Sequence, residues 1–513
     1  MTTPNKFGAT RPAAPVTRQT SNRVIYVKTR TGEIMTHRGM MYVNGEWKEG
    51  DGKTFKVTSP VDGSIIGEVH EAGRDEVKEA CEAAYEASKK WRHSHHSERA
   101  KLLNRTTEIL EGMVEEIAQH ITQEQGKPIE NARYEAKLAA GAFSESAEDM
   151  ARLESPVLQS MDPNKRVLTI WQPLGVVGII TPWNFPFGIP VHNVAPILAA
   201  GNTLIMKPAS QTPLIASYIF EALDKAGFPP GVANLVYGHG GVTGEELTGS
   251  ELVDAIAFTG STETGRRIAE SAGRTIKTMR LELGGNGPIV VLDDARVTSA
   301  ARDVAGSCYG NAGQVCTAGE RIIVDKKIQK EFTTAVVEES KKVKLGIPFK
   351  EGVTYGPLID ETLAEKVDRH VTDAKDKGAT VKFGGGRVEG FPTRLYYQPT
   401  VIDGVTADME INIEETFGPV IPIIPVGSTE EALDMAETSH YGLSSSVYTR
   451  DVARAIYFAE HLQAGTVEVN SPPTYWHPFY PTGGMRKSGL GREGGKFAIT
   501  TMSQIKTIIL DTQ

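Results

Sequence analysis

Three residues lie in settings where their side chains could do chemistry. Cys316 lies in a small, polar, glycine-containing segment after a predicted helix, where a thiol is accessible and its thiolate would be a nucleophile. Glu282 lies among leucines beside a glycine pair, an apolar setting that raises the pKa of a carboxyl group and suits a general base. Asn184 follows a buried strand and offers an N–H donor to an oxyanion. Taken singly, each also fits a structural role, as a packed thiol, a paired carboxylate and a turn residue.

A glycine-containing turn points to a bound phosphate. The segment 260–265, GSTETG, follows the predicted strand 255–259 and opens a helix. Glycine at such a turn lets a phosphate approach the backbone, and the helix N-terminus favours its negative charge. The spacing differs from the usual GxGxxG pattern, and a purely structural turn explains it equally well. Arg266 and Arg267 follow where a nucleotide-hydrolysing P-loop needs Lys and Ser or Thr, so NTP hydrolysis is disfavoured.

Composition and charge give no support to several classes of protein, among them nucleic-acid-binding, membrane-spanning and disulfide-rich proteins. The chain has 513 residues, a length that predicts two or three domains. Its net charge of −9 gives no support to a nucleic-acid or membrane partner, and no run of about 18 apolar residues predicts a transmembrane helix. The three cysteines, Cys81, Cys308 and Cys316, indicate no disulfide framework, and neither they nor the histidines show metal-site spacing. The sequence therefore predicts a cytoplasmic protein with free thiols and no metal site.

The first 40 residues differ in composition from the rest of the chain. Seven basic residues stand against the single acid Glu33, so the net charge of this segment is +6. A segment rich in basic residues, Ser and Thr resembles an organellar transit peptide, but Pro4, Pro12 and Pro15 oppose the amphipathic helix that such a peptide needs. We therefore expect residues 1–40 to be a basic arm, with organelle targeting as the alternative.

Hydrophobic periodicity predicts an α/β protein. Short runs rich in Val and Ile alternate with helical stretches, which is typical of a parallel sheet covered on both faces. The predicted strands are 41–47, 176–181, 203–207, 233–236, 255–259, 289–292, 321–324, 421–426, 445–448 and 505–510. The predicted helices are 75–91, 97–125, 130–153, 191–200, 213–226, 297–312 and 328–345.

Seven short blocks, taken together, resemble the aldehyde dehydrogenase superfamily from about residue 41 to residue 510. In chain order they are PWNFP at 182–186, KPA at 207–209, FTGS at 258–261, LELGG at 281–285, GQVC at 313–316, ETFGP at 415–419 and SGLGRE at 488–493. The resemblance implies that Cys316 attacks an aldehyde carbon and that Asn184 and the Cys316 backbone N–H hold the oxyanion. It also implies that Glu282 activates the water that hydrolyses a thioester to a carboxylic acid.

Two other functions stay open beside a hydrolytic, NAD(P)-dependent dehydrogenase. A coenzyme A-acylating dehydrogenase would pass the acyl group to a thiol instead of water, and family members of that kind generally lack a glutamate at the position of Glu282. A structural or binding protein that kept the fold would not need Cys316, Glu282 and Asn184 together. The resemblance therefore favours an enzyme that oxidises an aldehyde to an acid.

The same resemblance implies a nicotinamide cofactor, NADP or NAD. The matching positions are Pro182, Trp183, Lys207, Ser210, Gly240, Gly244, Phe258, Gly260, Ser261, Leu283, Glu415 and Phe417. NAD-preferring members often carry Glu three residues after the lysine, where this chain has Ser210. A glutamate there would repel a 2′-phosphate, so Ser210 with Lys207 close by predicts that NADP is accepted. Glu493 matches a secondary position tied to proton movement.

By the same analogy, we expect an aromatic aldehyde pocket. Its predicted walls are Phe187, His192, Val315, Thr317, Tyr475, Trp476 and Phe479. The last three lie in the loop 471–480, which continues as YPTGG at 480–484 where the family usually ends in PFGG. Aromatic walls suit an aromatic or medium-sized apolar aldehyde. A cationic aldehyde, a small hydroxyaldehyde and a subunit contact without a substrate role stay open.

The resemblance also implies the architecture: a Rossmann-like cofactor domain, an α/β catalytic domain and a bridging β segment. The expected ranges are 41–152 and 173–285 for the cofactor domain, 286–486 for the catalytic domain, and 153–172 with 487–513 for the bridge. Bridging strands of this kind add to the sheet edge of a neighbouring subunit, so we expect a homodimer or homotetramer. The expected partners are a small aldehyde and further copies of the chain.

Overall fold

A computed structural model describes residues 38–513, so the predicted basic arm lies outside the described residues except for its last three positions. Among the described residues, no helix is long and apolar enough to cross a membrane. The strands pair into sheets of eight, seven, three and two, and helices alternate with the strands of the two large sheets. The α/β fold class predicted from the sequence is confirmed.

The described chain begins with a hairpin where the sequence predicted a single strand. β1 (Met41–Val43) pairs antiparallel with β2 (Glu46–Lys48). The turn holds Asn44 at φ 52° and Gly45 at φ 85°, and Asn-Gly is the preferred pair for a two-residue turn that needs positive φ at both positions. β3 (Thr54–Thr58) and β4 (Ile65–His70) form a second antiparallel pair.

Four helices follow, one more than the sequence predicted. They are α1 (Arg74–Trp91), α2 (His96–Glu111), α3 (Val114–Gln125) and α4 (Ile129–Ala151). The helix predicted over 97–125 is divided at Gly112 and Met113. Gly126 ends α3 in the left-handed conformation, at φ 88°, as glycine commonly does after a helix. The short turn from α3 to α4 contains Lys127, which reaches the candidate site.

The next stretch builds most of the eight-stranded sheet. Its elements, after β5 (Val157–Leu158) and β6 (Lys165–Pro173), are β7 (Val176–Ile180), α5 (Gly188–Ala200), β8 (Thr203–Lys207), α6 (Ser217–Ala226), β9 (Ala233–Leu235), α7 (Glu245–Gly249), β10 (Ala255–Thr259), α8 (Thr262–Gly273) and β11 (Thr278–Glu282). The strand order is β11-β10-β7-β8-β9, and each adjacent pair is parallel. The predicted strand–helix alternation is confirmed here, and such sheets bind ligands beyond the carboxyl ends of their strands.

A seven-stranded sheet follows. Its elements are β12 (Gly287–Val291), α9 (Val297–Tyr309), β13 (Gly319–Asp325), α10 (Gln329–Ser340), α11 (Glu361–Asp376), β14 (Thr380–Phe383), β15 (Thr400–Asp403), α12 (Glu410–Ile413), β16 (Val420–Val426), α13 (Thr429–Glu437), β17 (Ser444–Tyr448), α14 (Val452–His461) and β18 (Thr466–Val469). The order is β14-β15-β16-β13-β12-β17-β18, with only β14 antiparallel to its neighbour. The helix predicted over 297–312 ends at Tyr309, because Asn311 and Ala312 adopt left-handed φ values.

The C-terminal residues divide between two sheets. β19 (Gly489–Leu490) pairs with β11, and α15 (Gly495–Thr501) leads to β20 (Ser503–Asp511). β20 pairs antiparallel with β6 along its whole length, and β5 completes this three-stranded sheet. The bridging segment predicted over 487–513 therefore contains one short strand of the eight-stranded sheet. The domain boundaries themselves stay a prediction.

The carboxyl ends of four adjacent strands meet at one edge of the eight-stranded sheet. β11 ends at Glu282 and β8 ends at Lys207, while β10 and β7 lead to Gly260 and Asn184. These strands lie side by side in the order β11-β10-β7-β8. The candidate site is built at this edge, and the loop with Cys316 reaches it from the seven-stranded sheet.

Candidate active site

The loop that carries Cys316 has an unusual backbone. Between α9 and β13, Asn311 and Ala312 have φ values of 50° and 59°, and Gly313 follows at 75°. A side chain on Gly313 would overlap the carbonyl group of Gly418, so only glycine fits there. Each left-handed residue other than glycine costs about 1–2 kcal/mol, so contacts elsewhere must hold the loop in this shape.

Hydrogen bonds from two asparagines and a glutamine hold the loop. Asn184 Nδ2 donates to the Gln314 carbonyl at 3.0 Å, and Asn311 Nδ2 donates to the Asn184 carbonyl at 3.0 Å. The Gln314 side chain donates to the Asn311 carbonyl at 2.8 Å and accepts the Ile359 N–H at 2.9 Å. A primary amide has two N–H donors, so Asn184 retains a second one for a ligand near Cys316. The sequence singled out Asn184, but it gave no role to Asn311 or Gln314.

A buried ion pair supports the segment that carries Asn184. Lys127 pairs with Glu135, and both side chains are almost fully buried. Lys127 Nζ also donates to the Asn184 carbonyl at 3.2 Å, while Glu135 accepts the N–H groups of Phe187 at 3.1 Å and Gly188 at 2.9 Å. Because loss of either partner would leave a buried charge uncompensated, the pair holds this segment firmly in place. No local sequence signal marked either residue.

Glu282 lies at the end of β11 with its carboxylate buried. Neighbouring backbone packs closely around it. A side chain on Gly483 would come 2.8 Å from Glu282 Oε1, and one on Gly285 would overlap the Cys316 carbonyl. The glycine pair after Glu282 therefore packs directly on the loop of Cys316. Glu282 Oε1 has no hydrogen-bond partner among the described residues, so it can accept a proton from a ligand or from water.

The burial of Glu282 favours its protonated form. Burial raises the pKa of Glu282 well above its ordinary value, and the nearby Glu493 carboxylate raises it further. Arg280 and Arg492 oppose this shift. A carboxyl group whose pKa is raised in this way suits a general base that works near neutral pH.

Cys316 and Cys308 have different surroundings, as their positions in the sequence indicated. Cys308 is buried, and its Sγ donates to the Gly319 carbonyl at 2.8 Å. Cys316 is partly exposed, yet burial of the sulfur raises the pKa of its thiol to about 12, and the charges of Glu415 and Glu282 add to the effect. The Cys316 thiol is therefore protonated near neutral pH, so a base must remove its proton before it attacks.

The residues predicted to hold the cofactor phosphates lie at the same sheet edge. Lys207 is buried, and its Nζ donates to the carbonyls of Pro208 at 2.9 Å and Gly238 at 3.2 Å, with no carboxylate partner among the described residues. Burial lowers the pKa of Lys207 to about 8. Gly240 is exposed and Gly244 is buried, and a side chain on either would meet no atom within 4 Å, so there is free space beside both. A cation and an accessible backbone fit a phosphate-bearing cofactor.

Two carboxylates hold the segments predicted to contact the nicotinamide end. Glu415 accepts an N–H at 2.8 Å from the glycine pair after β11. Glu320, which the sequence did not single out, accepts the N–H groups of Thr416 and Phe417. The rings of Phe417 and Trp183 meet edge to face with centroids 5.5 Å apart. These contacts join the loop 415–417 to the ends of β7 and β11.

The other predicted cofactor residues lie around the ends of the same strands. Gly260 donates its N–H to the Glu282 carbonyl at 2.9 Å, and Ser261 caps α8 by accepting the Thr264 N–H at 3.3 Å. Phe258 and Leu283 are buried, whereas Pro182 and Ser210 are partly exposed. When bound, NAD or NADP supplies the hydride acceptor of an oxidation.

Two of the predicted wall residues, His192 and Trp476, contact each other. Their rings meet edge to face with centroids 4.8 Å apart. Burial lowers the pKa of His192 to about 4, so its imidazole is neutral at neutral pH. The same two side chains line a cleft with Glu145, Asp149 and Glu493. Glu493 both lines this cleft and lies near Glu282, so the cleft extends from the predicted wall residues to the surroundings of Glu282.

The remaining predicted wall residues differ in their burial and do not form one group. Val315 and Thr317 flank Cys316 with partial exposure, as wall residues would, and Phe187 is fully buried beside Asn184. Tyr475 and Phe479 are 54% and 49% exposed on the surface of the loop 471–480. That exposure also fits a subunit contact, so their role as substrate walls stays a prediction.

Comparison with known proteins identifies the family. A profile described as the aldehyde dehydrogenase family matches residues 47–508. The chain belongs to the aldehyde dehydrogenase family. A glutarate-semialdehyde dehydrogenase of Pseudomonas putida is 39% identical over 92% of this chain and 98% of that protein. A succinate-semialdehyde dehydrogenase [NADP(+)] of Escherichia coli is 37% identical over 91% of this chain and 97% of that protein.

Solved structures agree with this assignment. An Escherichia coli NADP-dependent enzyme has a TM-score of 0.90 at 37% identity, covering 93% of this chain and 98% of that one. A Staphylococcus aureus betaine aldehyde dehydrogenase in complex with NAD+ also has a TM-score of 0.90, at 32% identity, covering 93% of this chain and 96% of that one. The aldehyde dehydrogenase fold is thereby confirmed, and this aldehyde dehydrogenase is an NAD(P)-dependent enzyme. The roles of its individual site residues stay predictions.

Proposed function

We propose that this aldehyde dehydrogenase is hydrolytic and releases its product as the free carboxylic acid. The position of Glu282 supports this most directly, because a buried carboxylate with one unpaired oxygen packs beside the loop of Cys316. A base in that place can activate water against an acyl group on the sulfur. Transfer to coenzyme A needs no base that activates water, and a binding role without catalysis needs no base at all.

In the proposed reaction, Glu282 transfers the protons and Cys316 forms and breaks the covalent bond to the substrate. The Cys316 thiol gives its proton to Glu282, which passes it to solvent, and the thiolate adds to the aldehyde carbon to form a thiohemiacetal. The second N–H of Asn184 and the Cys316 N–H donate to the oxyanion. Collapse of the oxyanion expels a hydride from the carbon and leaves a thioester on Cys316, and a nicotinamide cofactor held beside Glu415 and Phe417 would supply the hydride acceptor. Glu282 then takes a proton from water, the new C–O bond forms, and the C–S bond breaks to release the acid and the Cys316 thiolate.

A panel of aldehydes tests the reaction. We would measure cofactor reduction by absorbance and the carboxylic acid by NMR, with and without coenzyme A. We expect one equivalent of acid per equivalent of reduced cofactor without coenzyme A, and no faster turnover when it is added. Reduction that requires coenzyme A would establish the acylating alternative, and no reduction with any aldehyde would favour the binding role.

For the substrate, we propose a short aldehyde with a second polar group, of the semialdehyde type. The two enzymes named above are, by their names, glutarate- and succinate-semialdehyde dehydrogenases, and neither name indicates the aromatic aldehyde expected from the sequence. A second candidate is an aldehyde without an acidic end. It is favoured by the cleft beside His192 and Trp476, which contains Glu145, Asp149 and Glu493 but no lysine or arginine among its described lining residues.

The ratio of kcat/KM values separates the two candidates. Succinate and glutarate semialdehydes would be compared with aliphatic aldehydes of the same length and with benzaldehyde. A kcat/KM at least about tenfold higher for the semialdehydes, roughly 1.4 kcal/mol in transition-state binding, would support the first candidate. The reverse order would support the second, because burying an unpaired carboxylate beside three carboxylates is unfavourable.

We further propose that the enzyme binds NADP at least as well as NAD, because Ser210 places no negative charge beside Lys207. In Ser210→Glu, the new carboxylate would repel the 2′-phosphate, and we expect the KM for NADP to rise about tenfold or more while the KM for NAD changes less. Ser210→Ala, which adds no charge, is the matched control. A wild-type Kd for NADP more than about tenfold weaker than for NAD would contradict the proposal.

We infer that the chain self-associates through the sheet formed by β5, β6 and β20. This small sheet exposes several large apolar side chains, among them Val157, Ile505 and Ile509, which is unfavourable in a monomer. Light scattering is expected to give the mass of a dimer or tetramer, and a monomer would contradict the inference. We also propose a cytoplasmic location, with an organelle as the alternative, and fractionation of the native host tests it.

A further inference from the structure

Arg280 is a buried arginine for which the reaction steps above assign no role. It lies two residues before Glu282 on β11, and since side chains alternate along a strand, the two project from the same face. Only 1% of Arg280 is exposed, which makes it one of the largest fully buried side chains among the described residues. A permanently charged guanidinium group is rarely buried unless a specific interaction requires it.

None of the contacts of Arg280 neutralises its positive charge fully. One guanidinium nitrogen, Nη2, donates to Asn193 Oδ1 on α5 and lies 4.0 Å from Glu493 Oε2. Nε and Nη1 have no hydrogen-bond partner among the described residues. Asn193 is neutral, so it orients the guanidinium without neutralising it. Buried N–H donors of this kind are available to the carboxylates or to a bridging water.

The charged and titratable groups that face Glu282 come from three elements. They are Arg280 on β11 and Arg492 and Glu493 on the turn after β19, and the titratable but neutral Cys316 thiol lies on the loop before β13. Arg492 is partly exposed and donates to the Gly484 and Gly491 carbonyls, so solvent screens its charge. Arg280 is therefore the one fully buried cation among these groups. Two carboxylates share that single buried positive charge.

We propose that Arg280 is a positioning residue for thioester hydrolysis: its buried charge favours the ionised forms of the neighbouring Glu282 and Glu493 carboxyl groups, so that Glu282 can lose the proton it must lose before it acts as a base. This inference rests on the proposed hydrolytic function. Without Arg280, two neighbouring carboxylates in a buried setting would compete for ionisation, and Glu282 would carry a proton at a pH where it must act as a base. Arg280 thus sets the lower end of the pH range in which the enzyme turns over.

The pH profile of turnover tests the proposal. The midpoint is the pH at which kcat falls to half its maximum on the acid side. In Arg280→Met, which keeps the length of the aliphatic stem, we expect this midpoint to rise by about one pH unit, because an opposite charge at close range is lost. Arg280→Lys, which keeps the charge, is expected to stay close to the wild-type midpoint. A midpoint that does not move in Arg280→Met, or that moves equally in both variants, overturns the proposal.

Two further variants keep the test decisive. Arg492→Met is the matched control, because it removes a cation that is also near Glu282 but is partly exposed to solvent. We expect its midpoint to move by less than half as much as the midpoint of Arg280→Met. Glu493→Gln removes the competing carboxylate and is expected to lower the midpoint. If Arg280→Met does not fold, an unmoved midpoint in Glu493→Gln shows that the charges next to Glu282 do not set the midpoint, which overturns the proposal.

Pre-steady-state measurements separate this inference from the proposed function. A burst of cofactor reduction shows that Cys316 is acylated, and the slower phase reports hydrolysis. If the wild type releases no acid without coenzyme A at any pH, the hydrolytic function is wrong. If the wild type releases acid and Arg280→Met has the same midpoint as the wild type, the hydrolytic function stands and only the role of Arg280 is wrong.

Discussion

Cys316→Ala is expected to abolish aldehyde-dependent cofactor reduction, with a loss of about 10⁴-fold or more in kcat. The sulfur forms the bond to the aldehyde carbon in the proposed reaction, so no thiohemiacetal and no hydride donor arise without it. The backbone of the loop is held by Asn184, Asn311 and Gln314 and not by the thiol, so the variant should fold as the wild type does. Cofactor reduction would be followed by absorbance at saturating aldehyde, with thermal unfolding measured alongside.

Cys308→Ala is the matched control because it removes the same atom from the neighbouring helix. Its Sγ donates to the Gly319 carbonyl in a fully buried position, so the change leaves a small cavity and an unpaired acceptor. We expect a loss of about 1–2 kcal/mol in the free energy of unfolding, with kcat nearly unchanged. Turnover that survives in Cys316→Ala, or that disappears equally in Cys308→Ala, would show that Cys316 is not the nucleophile.

The catalytic candidates could be predicted from the sequence because each lies in a segment whose neighbouring residue types suit its chemistry. The strand before Asn184, β7, is a short apolar run that the sequence predicted. The strand β11, which contains Arg280 and ends at Glu282, was not predicted. The structure places both in the parallel part of one sheet. Parallel strands present their carboxyl ends at a common edge, so residues nearly 100 positions apart come together. Cys316 follows a helix whose small, polar end indicated an accessible thiol.

The residues that support the site could not be predicted in the same way. Arg280 contacts Asn193 across 87 positions of sequence, and Glu135 contacts Phe187 across 52, and neither arginine nor glutamate carries a local signal of such a partner. The helix predicted over 297–312 is confirmed from Val297 to Tyr309, and the sequence missed its earlier end for the same reason. Asn311 donates to the Asn184 carbonyl and Gln314 donates to the Asn311 carbonyl, and these hydrogen bonds stabilise a left-handed turn that helix propensity alone would reject.

Glu282→Gln is expected to stop the reaction after its first half. The amide is nearly isosteric with the carboxylate but cannot accept a proton, so water would not be activated against the thioester. Hydride transfer requires only the thiolate of Cys316, which at alkaline pH can form without Glu282. We therefore expect a burst of at most one equivalent of reduced cofactor per site, followed by turnover that is about 10²–10⁴-fold slower than in the wild type.

The stalled species itself provides the decisive measurement. Mass spectrometry of the protein after the burst should show Cys316 carrying the acyl group, and added hydroxylamine should release it by attacking the thioester. Glu493→Gln is the control, because it removes a neighbouring carboxylate and should leave hydrolysis at neutral pH intact. A Glu282→Gln variant with neither a burst nor an acyl adduct, even at alkaline pH, would contradict this prediction, because deprotonation of Cys316 would then require Glu282 and the reaction would stop before its first half. Full turnover in that variant would mean that another group activates the water.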